Sequence, residues 1–533
     1  MATNPPLALI ASTIMIATYG CSDAPVGMDK PTVPKAQRLS RSLLEDKVRG
    51  GWVGQMIGVA YGGPTEFRSN GKIIEDEIPW APENVRDTLN QDDLYVEMTF
   101  AHVMDTVGLD ATTEQYGDMF RDSEYRLWHA NAGARRLLNR GIKAPMSGHP
   151  KYNMHANDID FQIEADFIGL MTPGLPQEAN KYADRVGRVM NYGDGLYGGM
   201  FVDGMYAAAY FENNPRKVVE AGLKSIPIAS RYAQVIADVL KWHSQNPTDW
   251  RITWDLIERK WNTHDLCPDG AHLDFNIDAS LNGAYIVLGL LYGEGDFGKT
   301  VEISTRAGQD SDCNPSSAAG ILGVMLGYNH IPNQWKSGIP EIENEKFAYT
   351  NYSLNQIVES TINRAIQIIK SVGGQITDTE VVIPYQDVVE PPLEQWESDP
   401  PKVRLEPNDP AWVWQGPWSD IEDSELWRLG AIKQTSEQGA EATLTFNGTG
   451  VAITGGTTQD GGRVDVFLDG IKSDYMIDAW IPERTYDNDY WHITGLQPGE
   501  HTLRLVVRED SHEKSTGRLI QVSTTVIYGK ETP

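Results

Sequence analysis

Residues 43–62 read LLEDKVRGGWVGQMIGVAYG, and this stretch decides the fold class. Apolar residues recur every three or four positions, which is the period of a helix. Glycines stand among them, and each costs on the order of 1 kcal/mol of helix stability relative to alanine. Such a helix persists where close packing against a neighbour offsets that loss. The stretch therefore predicts the centre of a helical bundle. Segments around Gly193–Gly204 and Ala318–Gly327 have the same small-residue character.

Working outward, helical spacing continues through YADRVGRVMNYGDGLYGGMFVDGMYAAAYF (182–211), RYAQVIADVLKWHS (231–244) and SLNQIVESTINRAIQIIKSV (353–372). Strand-like alternation is scarce here, so residues 41–375 are expected to form an all-α domain. Residues 376–410 are Pro-rich and acidic and lack helical period, which predicts an extended linker. From residue 411 the period becomes two. Ala442, Leu444 and Phe446 alternate with Thr443, Thr445 and Asn447; Val464, Val466 and Leu468 alternate with Asp465, Phe467 and Asp469. Turn signals separate the runs at Asn447-Gly448, Gly461-Gly462, Asp469-Gly470 and Pro498-Gly499. An all-β jelly-roll sandwich over residues 411–533 follows. The chain is thus multi-domain. The pieces GTGVAITGG, GRVDVFLDG and GLQPGEHTLRLVV resemble the galactose-binding-like sandwiches appended to secreted glycosidases.

The net charge of −29 argues against nucleic acid as a partner, because phosphates would be repelled over the whole approach. Three cysteines, Cys21, Cys267 and Cys313, are too few for a disulfide scaffold and match no zinc-binding spacing. His129, His149, His155, His264 and His272 show no ligand-type pairing and are expected to be surface or packed residues. Cys267 is expected to be an inert thiol. At the N-terminus, the apolar run Leu7–Gly20 is too short for a membrane span and suits a signal peptide. Cys21 follows directly, which resembles a bacterial lipoprotein signal with a lipidated cysteine. Residues 1–21 are then a signal and 22–40 a tether. The protein is expected to be exported, as an outer-membrane or periplasmic lipoprotein that meets the membrane only through that lipid.

Three short elements carry the chemistry: Asn90-Gln91-Asp92-Asp93, Gly308-Gln309-Asp310-Ser311-Asp312-Cys313-Asn314, and a loop bearing Glu66 after the first glycine-rich helix. Singly, Asp92, Asp93, Asp310 and Asp312 suit helix starts. Together the three elements would place five carboxylates in one pocket. Two like charges about 4 Å apart cost on the order of 4 kcal/mol at an effective dielectric near 20. Five cannot stay ionised without cations, and oxygen ligands suit two Mg²⁺ ions, with Mn²⁺ as an alternative. Between the motifs, Asp160 and Glu164 stand four apart on an expected helix and face one way. Asp160 is a candidate acid for the leaving group or a solvated cap. Asn157, Glu164, Tyr197, Gly198 and Asn314 are candidate substrate contacts. The Gly193–Gly199 segment lacks a preceding strand, so it is not a dinucleotide-binding turn.

In order and spacing over roughly residues 45–370, these motifs resemble the ADP-ribosylglycohydrolase family. Its early helix reads Gly-x-x-x-Gly-Asp-Ala-x-Gly-x-Pro-x-Glu-Phe, a Thr-Asp-Asp motif follows, and Gly-x-Asp-Thr-Asp-Thr-Asn precedes an Ala/Gly-rich helix. The resemblance implies an all-helical, di-metal enzyme. It implies that Asp92, Asp93, Asp310 and Asp312 are metal ligands and that Glu66 lies beside the metals and helps activate water or assists the leaving group. Val59, Gln91 and Cys313 stand where the family pattern has Asp, Thr and Thr. The Gln91 amide can still reach a metal, while the Cys313 sulfur is a softer ligand. The expected function is metal-dependent cleavage of a glycosidic bond, in an ADP-ribosyl group or, favoured by export, in a glycan or other sugar-containing molecule. The alternative is a surface glycan-binding lipoprotein with a degenerate hydrolase domain.

Overall fold

The computed structural model of the chain describes residues 36–262, 265–396, 398–422, 431–482 and 485–530. The Leu7–Gly20 run, Cys21 and His264 lie outside the described residues. The first helix spans Arg41–Gly62, starting at Ser40, whose hydroxyl accepts the Leu43 N–H at 3.1 Å. Its glycines explain the bundle. A Cβ on Gly50, Gly54, Gly58 or Gly62 would come closer than 3.0 Å to the backbone oxygen of Gly323, Ala319, Pro315 or Ser311 respectively. Each step of four along one helix meets a step of four in reverse along the helix Cys313–Leu326. The two helices are thus antiparallel, in backbone contact over several turns. This contact sets Ser311 against Gly62 and brings the late acidic motif to the Glu66 loop.

Around this pair stand helices Asp92–Thr106, Asp194–Ala209, Ala279–Gly293 and Leu354–Ser371, within one continuous apolar core. The helix expected through residues 182–211 is two, Pro176–Gly187 and Asp194–Ala209. The chain breaks between them, where Gly193 takes a φ of 53° that favours glycine.

The helical domain is edged by a small sheet. Ala36–Ser40 pairs antiparallel with Glu380–Pro384, which also pairs with Gln375–Ile376. The end of the expected tether and the start of the expected linker are therefore strands. The rest of the linker is pinned as well: Glu394 pairs with Arg188 at 2.6 Å, and Tyr197 OH donates to Pro392 O at 3.0 Å.

The C-terminal part is two antiparallel sheets around a second core. In Glu441–Gly448, Ala442, Leu444 and Phe446 point inward as the alternation requires. Gly450–Thr457 and Ile520–Tyr528 break it, being buried at every residue. One face covers the sandwich core, while Ala452, Val526 and Tyr528 pack with Met154 and Ala271 of the helical domain. Polar contacts extend this seam: His492 Nε2 bonds Pro150 O at 2.7 Å, and Arg136 Nη2 bonds Asp489 O at 3.0 Å. The sandwich is docked on the helical domain. Among the described residues no helix is long and apolar enough to cross a membrane.

Candidate metal centre

The acidic motifs converge. Asp93, Asp312 and Cys313 bring ligand atoms within 4.8 Å of one another, and so do Glu66, Asp310 and Asp312. Asp312 belongs to both groups. Two helix starts aim at this point, those of Asp92–Thr106 and Cys313–Leu326, and their dipoles favour negative charge there. Asp312 stands at the N-cap position, yet its side chain makes no capping bond. The loop carrying Glu66 is strapped in place, with the Phe67 N–H donating to Gln309 O at 3.0 Å. Thr65 Oγ1 meets Ser311 Oγ at 2.8 Å. The Gln91 amide lies over Gly63.

The electrostatics fit a cation. Burial, then Asp312 and Asp92, push the Asp93 carboxyl well above its usual range. Burial and Asp310 do the same to Asp312. Burial raises Asp310 to about 8 despite a hydrogen bond shared with Asp312, and it raises Asp92 as well. Asp93 Oδ1 and Asp310 Oδ1 are buried without a hydrogen-bond partner. Burial and mutual repulsion disfavour the ionised forms of these groups; a divalent ion makes them favourable. The Cys313 thiol donates to Asp93 Oδ2 at 3.4 Å, so the residue replacing the family's threonine points into the group.

Behind it lies a second row of carboxylates that the motifs did not flag. Asp166 accepts from Tyr206 OH at 2.5 Å and Ser317 Oγ at 3.2 Å, and burial raises it to about 7. Glu97 accepts the Phe167 N–H at 2.9 Å and is pushed well up by burial and Asp166. Glu97 stands one helical turn after Asp93, a signal present in the sequence.

Glu164 lies within electrostatic reach of Asp92 and Asp93, and Asp160 stands beside Glu164. The helix expected there is short, Asp160–Ile163, with Glu164 closing it. Glu164 is buried, is bonded by the Asn131 amide, and is raised well above its usual range by burial and Asp160. Asp160 accepts the backbone N–H groups of Ala130 at 3.2 Å and Asn131 at 2.9 Å, and burial raises it to about 6. It therefore caps the helix His129–Asn139 rather than standing on a solvated face.

The candidate substrate contacts divide. Asn157 lines a cleft of about 700 Å³ with Arg231, Asp278, Glu394 and Trp396. Tyr197 is buried beneath the linker, and its hydroxyl is used there, accepting the Glu394 N–H at 2.6 Å. Gly198 packs on Gln162 and Tyr232. Asn314 is buried, donating to Asn282 Oδ1 at 2.9 Å.

Two of the histidines and Cys267 meet in a way their spacing does not announce. His129, His155, Asp158 and Cys267 bring ligand atoms within 4.8 Å of one another. The pairing was invisible because His129, the His155–Asp158 turn and Cys267 come from three separated segments.

Residues 40–367, more than half of the chain, match the ADP-ribosylglycohydrolase family. A curated "A type blood alpha-D-galactosamine galactosaminidase" from Flavonifractor plautii is 38% identical over 91 residues, which is 17% of this chain and 8% of that protein. Among solved structures, an "ADP-ribosylglycohydrolase-related protein complex" is 14% identical with a TM-score of 0.42, covering 61% of this chain and 99% of that one. The CBM36-1 domain of a xylanase from the hindgut metagenome of Trinervitermes trinervoides is 12% identical with a TM-score of 0.18, covering 24% of this chain and 98% of that one. On its matched residues, the chain belongs to the ADP-ribosylglycohydrolase family.

Proposed function

We propose that this protein is a metal-dependent hydrolase that cleaves a glycosidic bond. The observation carrying the reading is that Asp312 is shared between two adjoining ligand groups. Asp93, Asp312 and Cys313 would hold one divalent ion, and Glu66, Asp310 and Asp312 a second, with Asp92 and the Gln91 amide beside them. Carboxylate-rich sets suit Mg²⁺, with Mn²⁺ more tolerant of the Cys313 sulfur. When bound, such ions orient vicinal hydroxyls of a sugar and acidify a water near its anomeric carbon.

The side chains then divide the work. Glu66, exposed at the rim, accepts the proton of the attacking water. Asp160, raised to about 6, keeps its proton in mildly acidic solution and gives it to the departing group. The buried Glu164, bonded by the Asn131 amide, would serve as a hydrogen-bonding contact to the sugar. A glycan or glycoside is favoured over an ADP-ribosyl group. The apolar run before Cys21 supports work outside the cytoplasm, where ADP-ribosylated protein is scarce. The sugar-cleaving relative supports the same substrate class.

The test supplies oligosaccharides and ADP-ribosylated protein to the purified chain with Mg²⁺ or Mn²⁺, then with a chelator. Turnover of a glycoside that chelation abolishes is the expected result. Activity indifferent to chelation overturns the reading. Cys313 and Gln91, standing where the family has threonine, favour one competing reading: glycan retention without turnover.

A further inference from the structure

The second ligand group is distinct from the acidic centre and is built from different chemistry. His155 and Asp158 lie on the loop before the short helix at Asp160, Cys267 on the loop 265–271, and His129 at the first turn of the helix His129–Asn139. His155 Nδ1 lies 2.8 Å from Asp158 Oδ2 and 3.1 Å from Cys267 Sγ. His129 Nδ1 lies 3.9 Å from the same Asp158 oxygen and 3.3 Å from Asp269 Oδ2.

This arrangement is not a nucleophile relay. In a Cys-His-Asp relay the thiol and the carboxylate sit on opposite ring nitrogens, so that a proton can be taken at one and the ring oriented at the other. Here both face Nδ1 of His155, which offers one proton or one lone pair. Three heteroatoms crowding one point, with a second imidazole beside them, is the pattern of ligands around an ion. Bonds of about 2.0–2.3 Å around a tetrahedral Zn²⁺ put its ligand atoms roughly 3.3–3.8 Å apart, a span this group matches with small adjustments.

The geometry points to a transition-metal site formed by His129, His155, Asp158 and Cys267, occupied by Zn²⁺ or an ion of similar softness. Two imidazoles and a thiolate select against Mg²⁺. Four protein ligands leave no open position, so the ion's role is to join loops rather than to bind substrate. His155, Asp158 and Cys267 are buried, which closes the site from solvent.

The surroundings organise the ligands without the ion. Asp265 accepts the Cys267 N–H at 2.9 Å and the Ile277 N–H at 3.2 Å, folding the cysteine loop around itself. The Asp269 backbone N–H bonds the Cys267 sulfur. The sandwich holds this loop from outside: the strand Pro401–Leu405, within the expected linker, pairs with Ile520–Tyr528 in the sandwich sheet, and its Arg404 Nη1 donates to Pro268 O at 2.6 Å, while Tyr528 OH donates to Leu266 O at 2.7 Å. Asp489 accepts the Met154 N–H, next to His155, at 3.3 Å. His129 takes a left-handed φ of 44°, a strained backbone for a side chain with a Cβ, which binding would offset. The two N–H groups that hold Asp160 belong to the residues after it, so the ion would fix the start of the helix that positions Asp160.

The site stands independently of the hydrolase reading, and its test does not use turnover. Reduced, chelator-treated full-length protein is titrated with Co²⁺ in excess Mg²⁺. One Co²⁺ per chain is expected, with a thiolate-to-cobalt charge-transfer band and the intense visible bands of a four-coordinate ion, both lost on adding equimolar Zn²⁺. Cys267→Ser abolishes the charge-transfer band, and His155→Gln weakens binding on the order of 100-fold or more. Asp312→Ala leaves the band unchanged. Zinc content and a zinc-dependent rise in melting temperature, measured on the unaltered protein, decide the matter should a variant fail to fold. Absence of stoichiometric Co²⁺ or Zn²⁺ from the unaltered protein, or an undiminished band in a folded Cys267→Ser, overturns the site.

Discussion

The acidic centre and the His/Cys group lie in one domain but are assembled in opposite ways. The acidic centre gathers at the end of a helix pair whose backbones touch along a glycine face, with Asp92 and Asp93 brought by the start of a third helix. Its ligands come as short contiguous motifs at helix starts. The His/Cys group rests on loops, and the seam with the sandwich holds those loops. The first is set by the bundle's own core, and the second depends on a neighbour. The sandwich is therefore part of the scaffold of the helical domain, whatever else it binds.

Substitutions can break this comparison. The largest effect belongs to Asp312→Ala. It removes a ligand common to both acidic groups, and turnover of the glycoside substrate should fall on the order of 10³-fold. Isothermal titration should show loss of Mg²⁺ binding while Co²⁺ still binds the His/Cys group. Gly54→Ala tests the helix pair. Its methyl would overlap the Ala319 backbone, which cannot yield as a side chain can. About 3 kcal/mol of stability should be lost, read from the denaturant midpoint. A neutral result would mean that the helices stand further apart than described.

Two smaller effects address the seam. Tyr528→Phe removes the hydroxyl that bonds Leu266 O in a buried place. It should cost about 1 kcal/mol and weaken Co²⁺ binding without touching Mg²⁺. The least effect is a slope with pH. His492 and Asp489 form a buried pair at 2.9 Å. Burial opposes the charge on His492, but Asp489 prevails and raises the histidine above its ordinary 6.5. Its stabilisation is full below 6.5 and is lost as pH climbs through the folded value. Asp489, buried but held down by His492, sits below its ordinary 3.8; its share is present above 3.8 and is lost as pH falls through the folded value. The contribution of this pair is thus full between 3.8 and 6.5. Melting curves on the alkaline side should fall for the natural chain and flatten for His492→Gln.

The same contrast explains what could be read in advance. The helical domain, the sandwich and the convergence of Glu66, Asp92, Asp93, Asp310 and Asp312 were all legible, because period and motif are local. Residues assembled across distant segments were not. Asp166 carries no local signal; Tyr206 and Ser317, which hold it, come from two other helices. His155 and Cys267 are 112 positions apart, with nothing between them to announce a meeting. Tyr197 reads as a candidate substrate contact, but its hydroxyl anchors the linker. The continuous burial of Ile520–Tyr528 comes from a second packed face that alternation cannot report.

The glycine face also constrains how this protein can change. Its contacts recur once per helical turn, like teeth on a rack, so the pair engages only at whole-turn offsets. Inserting a single residue between Gly54 and Gly58 would rotate everything downstream by about 100° and swing Glu66 off its partners. This segment can lengthen only by whole turns if those contacts are to survive.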